Sequence, residues 1–170
     1  MYGFWIRIDI IARSLIPFML TLTLVVLGQV PNHIAGFDRM MPMLALISIY
    51  YWSIYRPDLM PMIMVFLLGL LQDILAGSPL GMHSFLFLIG YALVGSQRRF
   101  FLGNSFGIVW WGFMLVCAII AFLEWLLACL IGQQFLSPSP AIFSYLFSMA
   151  AFPILAVPML MLHRLLPSHG

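Results

Sequence analysis

Residues 106–131 read FGIVWWGFMLVCAIIAFLEWLLACLI, an apolar run of 26 residues interrupted by a single charge, Glu124. As an α-helix it rises about 1.5 Å per residue and so exceeds the roughly 30 Å hydrocarbon core of a bilayer. The rest of the 170-residue chain has the same character: 64% of residues are hydrophobic, 7% are charged, and the mean hydropathy is +1.11. An ordinary soluble domain carries roughly 25% charged residues, so this chain lacks the polar surface to cover a water-exposed globule. The expected class is an all-α, polytopic protein of the lipid bilayer: one transmembrane domain, residues 1–170, built as a six-helix bundle.

The helices are predicted at about 12–30, 40–55, 59–76, 82–97, 106–131 and 141–163, where apolar runs alternate with breakers. The breakers are Pro31-Asn32, Arg56-Pro57-Asp58, Gly77-Ser78-Pro79 and Ser137-Pro138-Ser139-Pro140. Pro17, Pro153 and Pro158 fall inside predicted helices, so kinks are expected there, with carbonyls freed for partners elsewhere in the bundle. Tyr50, Tyr51, Trp52 and Tyr91, near the ends of the two shorter helices, are expected at the membrane interfaces.

All seven basic residues are arginines, and they are scattered. That excludes a nucleic-acid surface. With the N-terminus inside, Arg7, Arg13, Arg56, Arg98, Arg99 and Arg164 are cytoplasmic and only Arg39 is outside, an asymmetry that predicts N-in, C-in topology. The stretch 3–13 mixes isoleucines with Arg7, Asp9 and Arg13. It reads either as an interfacial helix or as an extension of a first span retained in the mature protein. Cys117 and Cys129 fall about 18 Å apart along one helix and cannot pair with each other.

Two carboxylates interrupt the apolar runs, Asp73 and Glu124. Each costs about 2.5–3.5 kcal/mol at a helix centre unless a partner or a wet cavity receives it. Counted along their helices both lie in the outer half, and His83 enters the next helix at the same surface, so the three can form a cluster. The helix periodicity sets small residues around them: Gly69, Asp73 and Gly77 share one face, Cys117, Ala121, Glu124 and Ala128 another, and Ser144, Ser148 and Ala151 a third. The cluster has a structural reading, in which Asp73 bonds helix ends and Glu124 bonds a serine while His83 faces water. It also has functional ones: a proton or ligand site, or a surface for a partner. Neither a zinc-helix, nucleophile-elbow, P-loop nor dinucleotide motif occurs, and the thirteen methionines form no array with Cys or His. No enzyme, metal or cofactor is predicted.

The segment Gly69-Leu-Leu-Gln-Asp73-Ile-Leu-Ala-Gly77-Ser78-Pro79-Leu80-Gly81 resembles the signature of the MreD family of bacterial rod shape-determining membrane proteins. The likeness extends upstream through Pro42 and Tyr51-Trp52 to Arg56-Pro57, and downstream to Arg98-Arg99-Phe100-Phe101. It implies a non-enzymatic subunit of the peptidoglycan-synthesising elongation machinery of the inner membrane. Its implied partners are the MreC-type scaffold, RodA and a penicillin-binding transpeptidase, and indirectly MreB. It also implies a bundle like the substrate-binding subunits of energy-coupling-factor transporters, which makes a small-molecule-binding transport subunit the alternative. In the signature, the turn Gly77, Ser78, Pro79 and Gly81 is expected to be anchored by Asp73. Its glycines are expected to permit close backbone approach and its free amides to cap helices or receive a partner.

Overall fold

A computed structural model describes the backbone of residues 2–29 and 43–165 and the side chains of 15–29 and 43–161. Among these residues there are six α-helices and no strand: α1 (Tyr2–Leu27), α2 (Leu44–Tyr55), α3 (Met62–Ala76), α4 (Met82–Leu102), α5 (Phe106–Gly132) and α6 (Ser139–Leu165). A 3-10 turn, Pro57–Leu59, separates α2 from α3. The backbone is helical without a break from Tyr2 to Leu27, so the N-terminal stretch continues the first helix. Pro31-Asn32, Arg39 and Pro42 lie outside the described residues, as do the side chains of Arg7, Arg13 and Arg164.

Successive helices run in alternating directions. The C-terminal ends of α1, α3 and α5 and the N-terminal ends of α2, α4 and α6 therefore meet at one end of the bundle, where Gly28, Met43, Ala76, His83, Ala128 and Pro140 line a common cavity. At the opposite end Arg98 of α4 donates from Nε to the Ile54 carbonyl at 2.8 Å. That carbonyl belongs to the last turn of α2 and has no partner within its own helix. Arg98, expected just beyond the fourth helix, thus lies inside α4 and caps the end of α2.

The centre of the bundle is α2, which packs against α1, α4 and α6 and more lightly against α5. Every residue from Ala45 to Ile54 is buried. Tyr50, Tyr51 and Trp52 are 1%, 3% and 0% exposed, which corrects their expected interfacial placement. The reason is packing: Tyr50 sits edge-on to Phe113 at 5.3 Å and to Phe152 at 5.8 Å, and those two rings stack at 4.5 Å. Its hydroxyl donates to the Val109 carbonyl at 2.8 Å, so the ring's polar end is satisfied inside the bundle rather than in the headgroups. Gly112 makes room for this cluster, since a Cβ there would lie 2.4 Å from the Phe101 ring and 2.6 Å from the Tyr50 hydroxyl.

Serine and threonine hydroxyls in the interior bond to the helix backbone or to each other, whereas the buried Tyr51 hydroxyl has no partner among the described residues. Thr21 Oγ1 donates to the Pro17 carbonyl and also meets Ser48 Oγ, both at 2.7 Å, tying α1 to α2. Ser148 Oγ donates to the Ser144 carbonyl and accepts from the Met43 amide at 2.8 Å, fixing the start of α2 to α6.

Pro153 follows the same logic. Its missing N–H would have bonded the Met149 carbonyl one turn earlier. That carbonyl is taken by the indole Nε1 of Trp110, which donates to it from α5 at 3.2 Å. Trp110→Phe should therefore lower stability by about 1 kcal/mol, the cost of stranding a half-buried acceptor. The loss should shrink in a Pro153→Ala background, where a backbone N–H returns. Thermal unfolding of the four combinations in detergent measures it, and an equal loss in both backgrounds would refute the compensation.

The outer surface is apolar. Phe85, Trp111, Leu115, Phe122 and Ile154 are each more than half exposed. Two helices, Phe106–Gly132 and Ser139–Met161, are long and apolar enough to cross a membrane, yet only 22% and 28% of their most apolar stretches are buried. Core helices of a water-soluble protein would be mostly buried; these turn their apolar residues outward, as a hydrocarbon solvent permits. Three shorter apolar helices accompany them, Leu15–Leu27, Leu44–Tyr55 and Met62–Ala76.

Candidate functional site: the α3–α4 turn and its carboxylates

The turn joining α3 to α4 is built by glycine and by one buried carboxylate. Gly77 ends α3 at φ +64° and Gly81 begins α4 at φ +97°, left-handed conformations that disfavour side chains. A Cβ at either position would meet nothing within 4 Å. These glycines serve conformation and not close approach, a correction to the expectation above. The close approach occurs one turn before Asp73, at Gly69, where a Cβ would lie 2.3 Å from Ser84 Cα.

Gly81 is the N-cap of α4 and brings no capping side chain of its own. Asp73 supplies the cap from α3. Its Oδ2 accepts from the Gly81 amide at 2.8 Å, and its Oδ1 accepts from the His83 amide at 2.9 Å and faces the His83 ring Nδ1 at 2.8 Å. Asp73 is 0% exposed, and its charge sits against the positive end of the α4 dipole. Its backbone carbonyl meanwhile accepts from the Gly77 and Ser78 amides, closing the end of α3. The Met82 amide bonds to the Pro79 carbonyl. The Gly77, Ser78, Gly81 and His83 amides thus cap these two helix ends, the first of the two roles expected of them. What the turn presents outward is Pro79 and Leu80, the latter 73% exposed.

The imidazole carries the network to α5: His83 Nε2 lies 3.5 Å from Glu124 Oε1. The structure thus brings together Asp73, His83 and Glu124 and places Gly77, Ser78, Pro79 and Gly81 around them. The His83 side chain is 13% exposed and that of Glu124 34%, so the histidine does not simply face water. Because the two carboxylates occupy opposite nitrogens of one ring, they cannot converge on a single ion. Among the described residues no group of three or more His, Cys, Asp or Glu is placed to hold a metal. Ser84, next to His83 in the chain, turns its Oγ elsewhere and donates to the Phe66 carbonyl at 3.2 Å. The arrangement can hold and orient a proton.

Glu124 and His83 lie in the wall of a cavity of about 420 Å³ at this end of the bundle. Gln72, Phe87, Trp125 and Ser144 share that wall. Trp125 donates from Nε1 to the Leu136 carbonyl at 3.0 Å and so ties the α5–α6 connection to the rim. Sequence reasoning missed Gln72 and Trp125. Gln72 adjoins Asp73 in an apolar helix and could have been noticed as a second polar residue there; Trp125 carried no signal among so many aromatics.

The family model for the rod shape-determining protein MreD matches residues 8–166. The chain belongs to the MreD family. Membership brings a role in determining rod cell shape and a membrane location, for which α5 and α6 have the length and composition. The searches of curated proteins and of solved structures gave no match. In this MreD-family chain the matched region takes in the whole α3–α4 turn together with Glu124.

Proposed function

We propose that this MreD-family protein is a non-enzymatic subunit of the rod-shape machinery. It crosses the inner membrane six times with both termini cytoplasmic, and the α3–α4 turn on its outer side docks a partner. The expected partners are an MreC-type scaffold and the wall synthases, RodA with its transpeptidase, with MreB reached indirectly. The observation that carries this reading is the turn itself. A buried carboxylate, two left-handed glycines and a closed set of hydrogen bonds rigidify five residues whose outward side chains, Pro79 and Leu80, do no work for the fold. A preorganised apolar tip loses little entropy when a partner covers it. Topology is supported by Arg56 and Arg98 lying at the same end of the bundle, opposite the turn, as the arginine asymmetry requires.

A photoreactive residue at Leu80, used in living cells, tests it. The expected product is an adduct with a single-span periplasmic scaffold or a wall synthase. Capture of no protein, together with rods that persist when the chain is removed, would end the docking reading. A second variant grades it: Asp73→Asn keeps one acceptor oxygen but sets an NH₂ against a backbone N–H. Membrane insertion should survive while the yield of co-purified complex falls several-fold; an unchanged yield counts against the turn.

The alternative, a small-molecule-binding transport subunit on the same kind of bundle, is favoured by one observation. The cavity of about 420 Å³ falls within the roughly 300–1,000 Å³ typical of ligand sites.

A further inference from the structure

The cavity beside the carboxylates has a chemistry of its own, independent of whether the turn docks a partner. Its volume, about 420 Å³, is too large for one water and right for a small organic molecule. Among the described residues neither Arg nor Lys lines it, whereas Glu124 does, beside His83 and with its side chain one-third exposed. Asp73 has both oxygens engaged by N–H groups of the turn and of His83, so the acceptor capacity left over belongs to Glu124. A second acceptor is stranded: Gln72 Oε1 is buried without a hydrogen-bond partner, and Gln72 lines the same space. Such a group wants a donor. Phe87 and Trp125 add aromatic surface, and Leu24, Leu86 and Ile120 close the remainder with hydrocarbon.

We propose that this cavity binds a small organic cation, an ammonium group on a short hydrocarbon body. Glu124 neutralises the charge, Gln72 Oε1 accepts one of its N–H bonds, and the Phe87 and Trp125 rings attract it through their negative faces. The apolar wall receives the hydrocarbon. Anions are refused by the Glu124 carboxylate, and neutral analogues of equal size add no charge to the pair that Glu124 already makes with His83.

The full chain in an uncharged maltoside micelle, titrated with butylammonium and in parallel with butanol and butyrate, tests the assignment. Butylammonium alone should give a saturable rise in Tm of about 2–4 °C. Glu124→Gln should abolish the rise by removing the charge. Ala128→Leu should abolish it by filling the cavity with all charges in place, and decides the matter if the first variant does not fold. The assignment is overturned if the three compounds act alike, if butylammonium does nothing to the isolated chain, or if a folded variant of either kind keeps the full response. Failure here leaves the Leu80 crosslinking result untouched, because that experiment reads the outer tip and not the cavity.

Discussion

Gly69→Ala should cost the protein its folded state. The added methyl would lie 2.3 Å from Ser84 Cα and 2.6 Å from Ser84 N, and backbone atoms in a helix cannot rotate aside as a side-chain end can. Carbon atoms rest at about 3.5–4.0 Å, so α3 and α4 would have to separate by more than 1 Å along their closest seam. Ordinary overpacking costs about 1–3 kcal/mol. Here the cost is compounded, because Asp73 lies one turn beyond Gly69 on the same face of α3, and its bonds to Gly81 and His83 span the seam that is being opened. The chain at Gly95, where a Cβ would meet nothing within 4 Å, provides the control. Gly95→Ala should be neutral or slightly stabilising through helix propensity. The monodisperse fraction after detergent extraction, followed by thermal unfolding, compares the two. A Gly69→Ala protein that unfolds at the wild-type temperature would mean that the helices do not approach as described.

Asp73→Ala should be nearly as severe. It removes the acceptor for two backbone N–H groups at the start of α4 and for the His83 ring, at a fully buried position. Hydrogen bonds to ionised groups contribute about 1.5–3 kcal/mol each, so even with imperfect additivity the loss should exceed about 3 kcal/mol. Asp58→Ala is the contrasting variant. Its carboxylate meets Arg56 at 3.4 Å, but the side chain is 62% exposed, and exposed pairs contribute at most about 1 kcal/mol. Hydrogen exchange should separate the two: the α4 amides at Gly81 and His83 lose protection in Asp73→Ala and keep it in Asp58→Ala. Retained protection in Asp73→Ala would mean that the cap does not hold the turn.

The two variants also divide what can be read along the chain from what cannot. Apolar runs ended by Pro, Gly and Asp are local signals, and all six helices follow from them because a helix satisfies its backbone within the segment. The nearness of Asp73 to His83 was legible for the same reason, since ten positions and one tight turn separate them. Glu124 is forty-one positions further on; helix arithmetic brings it to the right end of the bundle and the small residues on its face favour an inward direction, but its contact with the His83 ring is set by packing.

By itself, then, the sequence determined the solvent, the number of helices, the place of the turn and the need for Asp73 to find donors. Those depend on hydropathy, chain stiffness and the cost of burying charge, which act residue by residue. Tertiary packing decided the rest. It sent Tyr50, Tyr51 and Trp52 to the core instead of the interface, because three aromatic rings and the Val109 carbonyl were there to receive Tyr50. It put the tight helix contact at Gly69 and left Gly77 and Gly81 as purely conformational residues, and it engaged the turn's amides within the protein. It also left a cavity next to Glu124, because a void is a property of how several helices fail to fill space together and has no counterpart in any one of them.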